Sequence, residues 1–204
     1  MKKPKLPQIV PLALKKEEAE SLIIAIKNIH FKRLTVFTLE TGLRLAEAIT
    51  LEWSDIVESG RAILVQNKDT FTTKSKKCRT IPLSATALSI LKSIGGSSGL
   101  IFKTSTGLPW KHNNVEHRFK FAVRDAELND KIHFHTLRHT FATWFLQRGG
   151  NIYLLKLIMG HASVRTTEGY LASLSPMHFF DKGMPVPHEG DTRFQNFGFD
   201  GREI

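Results

Sequence analysis

Side chains that grip anions or move protons gather in a few short stretches of this chain. Thr41-Gly42-Leu43-Arg44 sets an arginine just after a glycine turn, at the start of a helical run. A guanidinium there can hold a phosphate through two parallel hydrogen bonds; it can equally form a surface salt bridge with Glu47. The segment Thr72–Leu83 carries Lys74, Lys76, Lys77 and Arg79. Such a basic tip suits a DNA groove or the phosphates along it, and is otherwise a solvated turn. His133-Phe134-His135-Thr136-Leu137-Arg138-His139 concentrates three histidines and an arginine at a helix start. His135 and His139, at i and i+4, can face one metal ion with His133 beside them. His135 and Arg138, at i and i+3, can instead donate to one anion. No glutamate stands between the histidines as in a zinc hydrolase, which favours the anion; a plain helix-start cluster is the third option. His161 follows Gly160 after a helix, and Tyr170, one of two tyrosines, comes nine residues later. Gly160–Tyr170 also has the spacing of a helix-turn-helix DNA reader, which needs no chemistry at all.

The elements that must position these groups follow from apolar spacing and punctuation. Glu17–Ile29 and Leu34–Leu39 read as helices, the second stopped by Gly42, and Leu45–Leu51 as a short third, with a loop from Trp53. Ala62–Gln66 and Arg79–Leu83 are β-rich runs around a polar, Lys- and Thr-rich stretch, which predicts a small antiparallel sheet. Ser84 is placed to cap a helix that Gly95-Gly96 ends, and Ile94–Trp110 reads as loop. Val115–Ala126, Thr136–Arg148, Ile152–Met159 and Val164–Ala172 follow as helices, the last capped by Ser163. The expectation is a mostly α single domain with one small antiparallel β-sheet. Residues 1–13, with Pro4, Pro7 and Pro11 among lysines, read as an extended basic arm. Residues 14–181 form the domain, and residues 182–204 a flexible or partner-docking tail.

Composition narrows the class. With 204 residues, 41% hydrophobic and 24% charged, the chain can bury a core without disulfides, so wholesale disorder is excluded. Lysine and arginine outnumber the acids 29 to 19, a net charge of +10 that suits a nucleic-acid or anionic-surface partner. No apolar run reaches the ~18 residues of a membrane span. The start MKKPKLPQIVPLALKK breaks its apolar stretch at Pro11 and lacks the core of a signal peptide. A single cysteine, Cys78, cannot form an intramolecular disulfide and fits a reducing compartment.

In their order and flanks, these patterns together resemble the tyrosine recombinase (phage integrase) family. The stretches that carry the resemblance are TGLRLAEAITLEWSDI, KSKKCRTIPL, HTLRHTFATWFL and LIMGHASVRTTEGYL, spanning about Leu14 to Leu174. Lys74 stands eight residues before Pro82, and Tyr170 nine after His161, as in that family. The resemblance implies cleavage and rejoining of double-stranded DNA at attachment or inversion sites through a 3′-phosphotyrosyl link, without metal or cofactor. It implies Arg44 and Arg138 as the phosphate clamp, Tyr170 as nucleophile and Lys74 as general acid. His135 is then a proton-transfer group and His161 a hydrogen bond to the phosphate, while Lys76, Lys77 and Arg79 add DNA contacts. A homotetramer on DNA, in the cytoplasm of a bacterial or phage-host cell, is also implied, with Ser175–Phe180 (SPMHFF) a segment that either docks on a neighbour or packs Phe179 and Phe180 on its own core. The chain has no room for the family's usual core-binding domain before residue 14, so it is expected to be a fragment of a larger integrase or a minimal member like the fimbrial-switch invertases. Two rivals make distinct predictions: a DNA-binding regulator that never cuts, and a zinc nuclease built on His133, His135, His139 and His161.

Overall fold

The structure, a computed structural model, describes residues 11–66 and 78–171. Lys74, Lys76, Lys77, most of the basic arm, the Ser175–Phe180 segment and the 182–204 tail lie outside the described residues. Eight α-helices are described: α1 (Lys16–Ala25), α2 (Ile29–Thr41), α3 (Leu45–Ile49), α4 (Ala85–Ile94), α5 (His112–Asp125), α6 (Phe134–Gln147), α7 (Ile152–Met159) and α8 (Val164–Glu168). A three-stranded antiparallel sheet, β1 (Ile56–Val57), β2 (Ala62–Val65) and β3 (Arg79–Pro82), stands between α3 and α4 in the chain.

Local chemistry explains where the elements depart from the apolar period. Asn28 caps α2, accepting the Phe31 amide at 2.9 Å, so the expected Glu17–Ile29 helix ends early and the second starts five residues before Leu34. Threonines conceal the rest of α2. The Thr35, Thr38 and Thr41 hydroxyls donate to the carbonyls of Phe31, Leu34 and Phe37, which lets polar residues sit fully buried. Gly42 then ends α2 in the left-handed region, where a Cβ would lie 2.5 Å from the Phe141 ring. Ser84 caps α4 and Ser163 caps α8, as their positions predict. The α6 helix starts two residues before Thr136, because the Thr136 hydroxyl accepts the His133 amide at 3.1 Å. The sheet gains β1, which is too short for its alternation to be visible.

The core lies between α2, α6 and the helices flanking them, with Leu34, Phe37, Phe119, Phe134 and Leu137 essentially without exposure. Each such side chain contributes on the order of 2 kcal/mol through burial. Leu14 is pinned at both ends, its amide donating to Thr140 and its carbonyl accepting from the Trp144 indole. No helix among the described residues is long and apolar enough to cross a membrane.

Candidate active site

The strongest anchor of the site is Arg138, on the first turns of α6 and only 2% exposed. Its guanidinium donates to the Gly42 carbonyl at 2.6 Å and to the Met159 carbonyl. One side chain thereby joins the end of α2 to the end of α7. Burial, then the repulsion of Arg44, lowers its pKa, and Glu47 opposes both. A guanidinium stays charged under such pressure, and a charge held ready in a dry site binds an anion far more strongly than in water.

Arg44 stands where the α2–α3 turn ends, capping α3. Its backbone amide donates to Glu47 Oε2 at 2.8 Å and its guanidinium to Glu47 Oε1 at 2.9 Å. The salt bridge weighed for Arg44 is therefore present, but it is not a surface pair, because Glu47 is buried. Burial alone would raise the Glu47 pKa. The hydrogen bonds and charge of Arg79 outweigh that, with help from Arg44 and Arg138, and keep the carboxylate ionised below its usual range.

The structure corrects the expected role of Arg79. It is not a solvated hairpin cation free to lie along DNA but a buried strand residue. Both ends of its fork go to Glu47, at 3.0 and 2.6 Å, and its Nε donates to the Ile158 carbonyl at 2.8 Å. Alternation on β3, where Arg79 and Ile81 share the inward face, was a signal for this.

At the opposite side of the site, Tyr170 follows α8 and is buried, its hydroxyl 2.9 Å from His139 Nδ1. Burial raises the Tyr170 pKa, and the charges of Arg138 and Arg44 pull against it. His161, on the turn after α7, stacks parallel to the Tyr170 ring with centroids 6.3 Å apart. Its Nδ1 lies 3.0 Å from the Thr167 hydroxyl, and its Nε2 lies 3.5 Å from Arg138 Nη2. His135 meets His139 edge-on at 4.7 Å and is not itself hydrogen-bonded to the tyrosine. Burial first, then neighbouring positive groups, push His135, His139 and His161 each down to about 4. All three rings are therefore neutral at pH 7, able both to accept and to donate.

Five of the expected residues, Arg44, His135, Arg138, His161 and Tyr170, thus come from four separate segments to one place. The apolar and glycine signals did not single out His139, weighed as a metal ligand, or Glu47, weighed as a surface partner. Their proximity in chain to Arg138 and Arg44 was the available clue. Among the described residues, no group of three His, Cys, Asp or Glu side chains is arranged to hold a metal ion.

Several known proteins are similar to this chain. A model of the phage integrase family matches residues 13–176. The integrase of Haemophilus phage HP1 is 38% identical over 143 residues, which cover 69% of this chain and 36% of that protein. A tyrosine recombinase of Thermosipho africanus is 30% identical over 176 residues, 84% of this chain and 60% of that protein. The chain thus spans between about a third and three fifths of these relatives. Among solved structures, the catalytic domain of bacteriophage HP1 integrase superposes with a TM-score of 0.63 at 30% identity, covering 83% of this chain and 91% of that one. The XerA recombinase crystal structure superposes with a TM-score of 0.69 at 27% identity, covering 86% and 65%. With this match, and with arginines, histidines and tyrosine gathered around one point, the chain belongs to the phage integrase family of tyrosine recombinases and has its catalytic-domain fold.

Proposed function

We propose that this chain cuts and rejoins double-stranded DNA at specific sites by transesterification on Tyr170. The observation that carries the reading is the Tyr170 hydroxyl, held by His139 beside two buried or half-buried arginines. A phosphodiester resists nucleophiles because it is anionic, so Arg44 and Arg138 neutralise its non-bridging oxygens. The Tyr170 oxygen attacks phosphorus, the bond to the 5′-oxygen breaks, and a 3′-phosphotyrosyl link stores the bond energy for rejoining. The phenolic proton leaves through neutral His139, with His135 next in line at the helix start. Lys74 protonates the departing 5′-oxygen. His161, with its single proton on Nε2 and its Nδ1 accepting from the Thr167 hydroxyl, turns Nε2 from Arg138 and donates to the phosphate. The guanidiniums and the lysine supply the positive charge that this chemistry needs, so no metal enters the scheme.

Lys76 and Lys77 add phosphate contacts along the duplex, in keeping with the net charge of +10. The working form is a homo-oligomer on DNA, a tetramer. Exposed apolar residues on α7, Tyr153, Leu154 and Leu157, support a contact with a neighbouring copy.

The test is covalent capture. The protein is incubated in excess EDTA with a duplex library of randomised sequence, and denatured complexes are recovered and sequenced. The expected result is a DNA–protein adduct enriched for one sequence and absent with Tyr170→Phe. Sequence-selective binding without any adduct favours a non-cutting regulator; cleavage only after Mg²⁺ or Zn²⁺ is added favours the nuclease.

A further inference from the structure

Three parts of the site meet on Arg79, which the chemistry above does not use. Its fork closes on Glu47, whose same two oxygens hold the Arg44 amide and guanidinium. Its Nε holds the Ile158 carbonyl at the end of α7, next to the Met159 carbonyl that Arg138 holds. Its side chain also packs on Gly160, in the left-handed region, where a Cβ would sit 3.1 Å from Arg79 Cδ and 3.2 Å from Nη1. His161 is the next residue. Arg79 is also the first residue of β3, five after Lys74 in the chain.

We infer that Arg79 is a positioning residue that sets the Arg44 clamp and the His161 turn relative to β3. The inference rests on the recombinase reading. Its logic is charge balance. Glu47 faces two guanidiniums, so Arg44 keeps its place without surrendering its whole charge to one carboxylate. Without Arg79, Glu47 becomes a one-to-one partner of Arg44 and competes with the phosphate for it. The α7 carbonyl of Ile158 loses its donor in the same event, and the turn bearing His161 loses the surface it rests on. A lysine cannot replace the fork, because one ammonium cannot face both carboxylate oxygens and the carbonyl in this geometry.

The test compares two substrates in one protein preparation. A methylphosphonate at the scissile position replaces a non-bridging oxygen with methyl and carries no charge, so it makes less demand on the clamp. Single-turnover adduct formation is measured for wild type, Arg79→Lys and Arg79→Met on the sequence recovered by covalent capture, as phosphodiester and as methylphosphonate. Both variants are expected to slow on the phosphodiester by on the order of 10²-fold and on the methylphosphonate by less than about 10-fold. The ratio does not depend on what fraction of a variant is folded. Arg79→Met placed on Arg44→Ala is expected to add little on the phosphodiester. The assignment is overturned by equal slowing on both substrates, which marks a scaffold residue. It is also overturned by normal cleavage with a salt dependence of binding reduced by about one phosphate contact, which marks a DNA contact. Wild-type protein that forms no adduct on either substrate overturns the recombinase reading and this assignment with it.

Discussion

Two buried glutamates, seven residues apart on α2 and α3, are held in opposite charge states. Glu40 and Glu47 are 2% and 3% exposed. Glu47 sits between Arg44 and Arg79 and stays ionised. Glu40 sits beside a cavity of about 150 Å³ lined by Phe141, Phe145 and Ile158, and Ser84 donates to its Oε2. Its Oε1 is buried without a hydrogen-bond partner. Burial raises Glu40 to about 8, against the Ser84 hydrogen bond and the Arg148 charge. Burial is alike for the two; their guanidinium partners are not. In this fold the buried carboxylate that its neighbours keep charged is the one that adjoins the arginines of the candidate site.

Removing that difference at Glu47 should have the largest effect. Glu47→Gln keeps the shape but leaves Arg44 and Arg79 unbalanced in the interior. Adduct formation is expected to fall about 10³-fold, and stability to fall by about 3 kcal/mol, as for a broken buried pair. Chemical denaturation alongside single-turnover cleavage checks both. Unchanged cleavage would mean that the clamp does not depend on Glu47.

Arg44→Ala separates chemistry from stability within the same cluster. Arg44 keeps about a quarter of its side chain exposed, and Glu47 retains Arg79. Cleavage is expected to drop by about 10²–10³-fold while the denaturation midpoint stays near wild type. A large loss of stability would show Arg44 to be a scaffold residue.

His139→Gln tests the proton's route from the nucleophile. Glutamine can still reach the Tyr170 hydroxyl but cannot take its proton. The cleavage rate should drop by about 10²-fold at pH 7 and recover as pH rises and the phenol ionises unaided. A rate that stays level with pH assigns the proton to another group, His135 first.

Glu40→Gln should leave cleavage within about twofold and change only stability. The folded carboxyl binds its proton more tightly than the unfolded one, so wild-type stability falls as pH rises from about 4.5 to about 8 and is flat above. The variant lacks this loss. Relative to wild type it should gain on the order of 3 kcal/mol between pH 5 and pH 8, read by denaturant unfolding at each pH. An unchanged pH profile would mean that Glu40 is already ionised in the fold.

The fold class and the five residues that gather at the candidate site were legible because their signals are local. Gly42 and Gly160 stop helices, Ser84 and Ser163 cap them, and the order of arginines, histidines and tyrosine carries the family's pattern. What was hidden depends on contacts between distant segments. Arg79 looks like one more cation of a basic hairpin until β3 turns it inward against Glu47, 32 residues away. His139 becomes the partner of Tyr170 only when the residues after α8 fold back to α6, 31 residues away in the chain. Composition had no means of separating Glu40 from Glu47, since charge state here follows from which arginines fold back upon them. The α2 helix was under-read because its buried threonines satisfy their own hydroxyls and imitate a polar face.

The central claim is that Tyr170 becomes covalently joined to DNA. The direct measurement is mass spectrometry of the trapped adduct after nuclease and protease digestion. The predicted result is a nucleotide carried through its 3′-phosphate on the peptide containing Tyr170, formed in EDTA and lost with Tyr170→Phe. A nucleotide on Tyr153, or DNA cut to free ends with no peptide attached, would contradict the account.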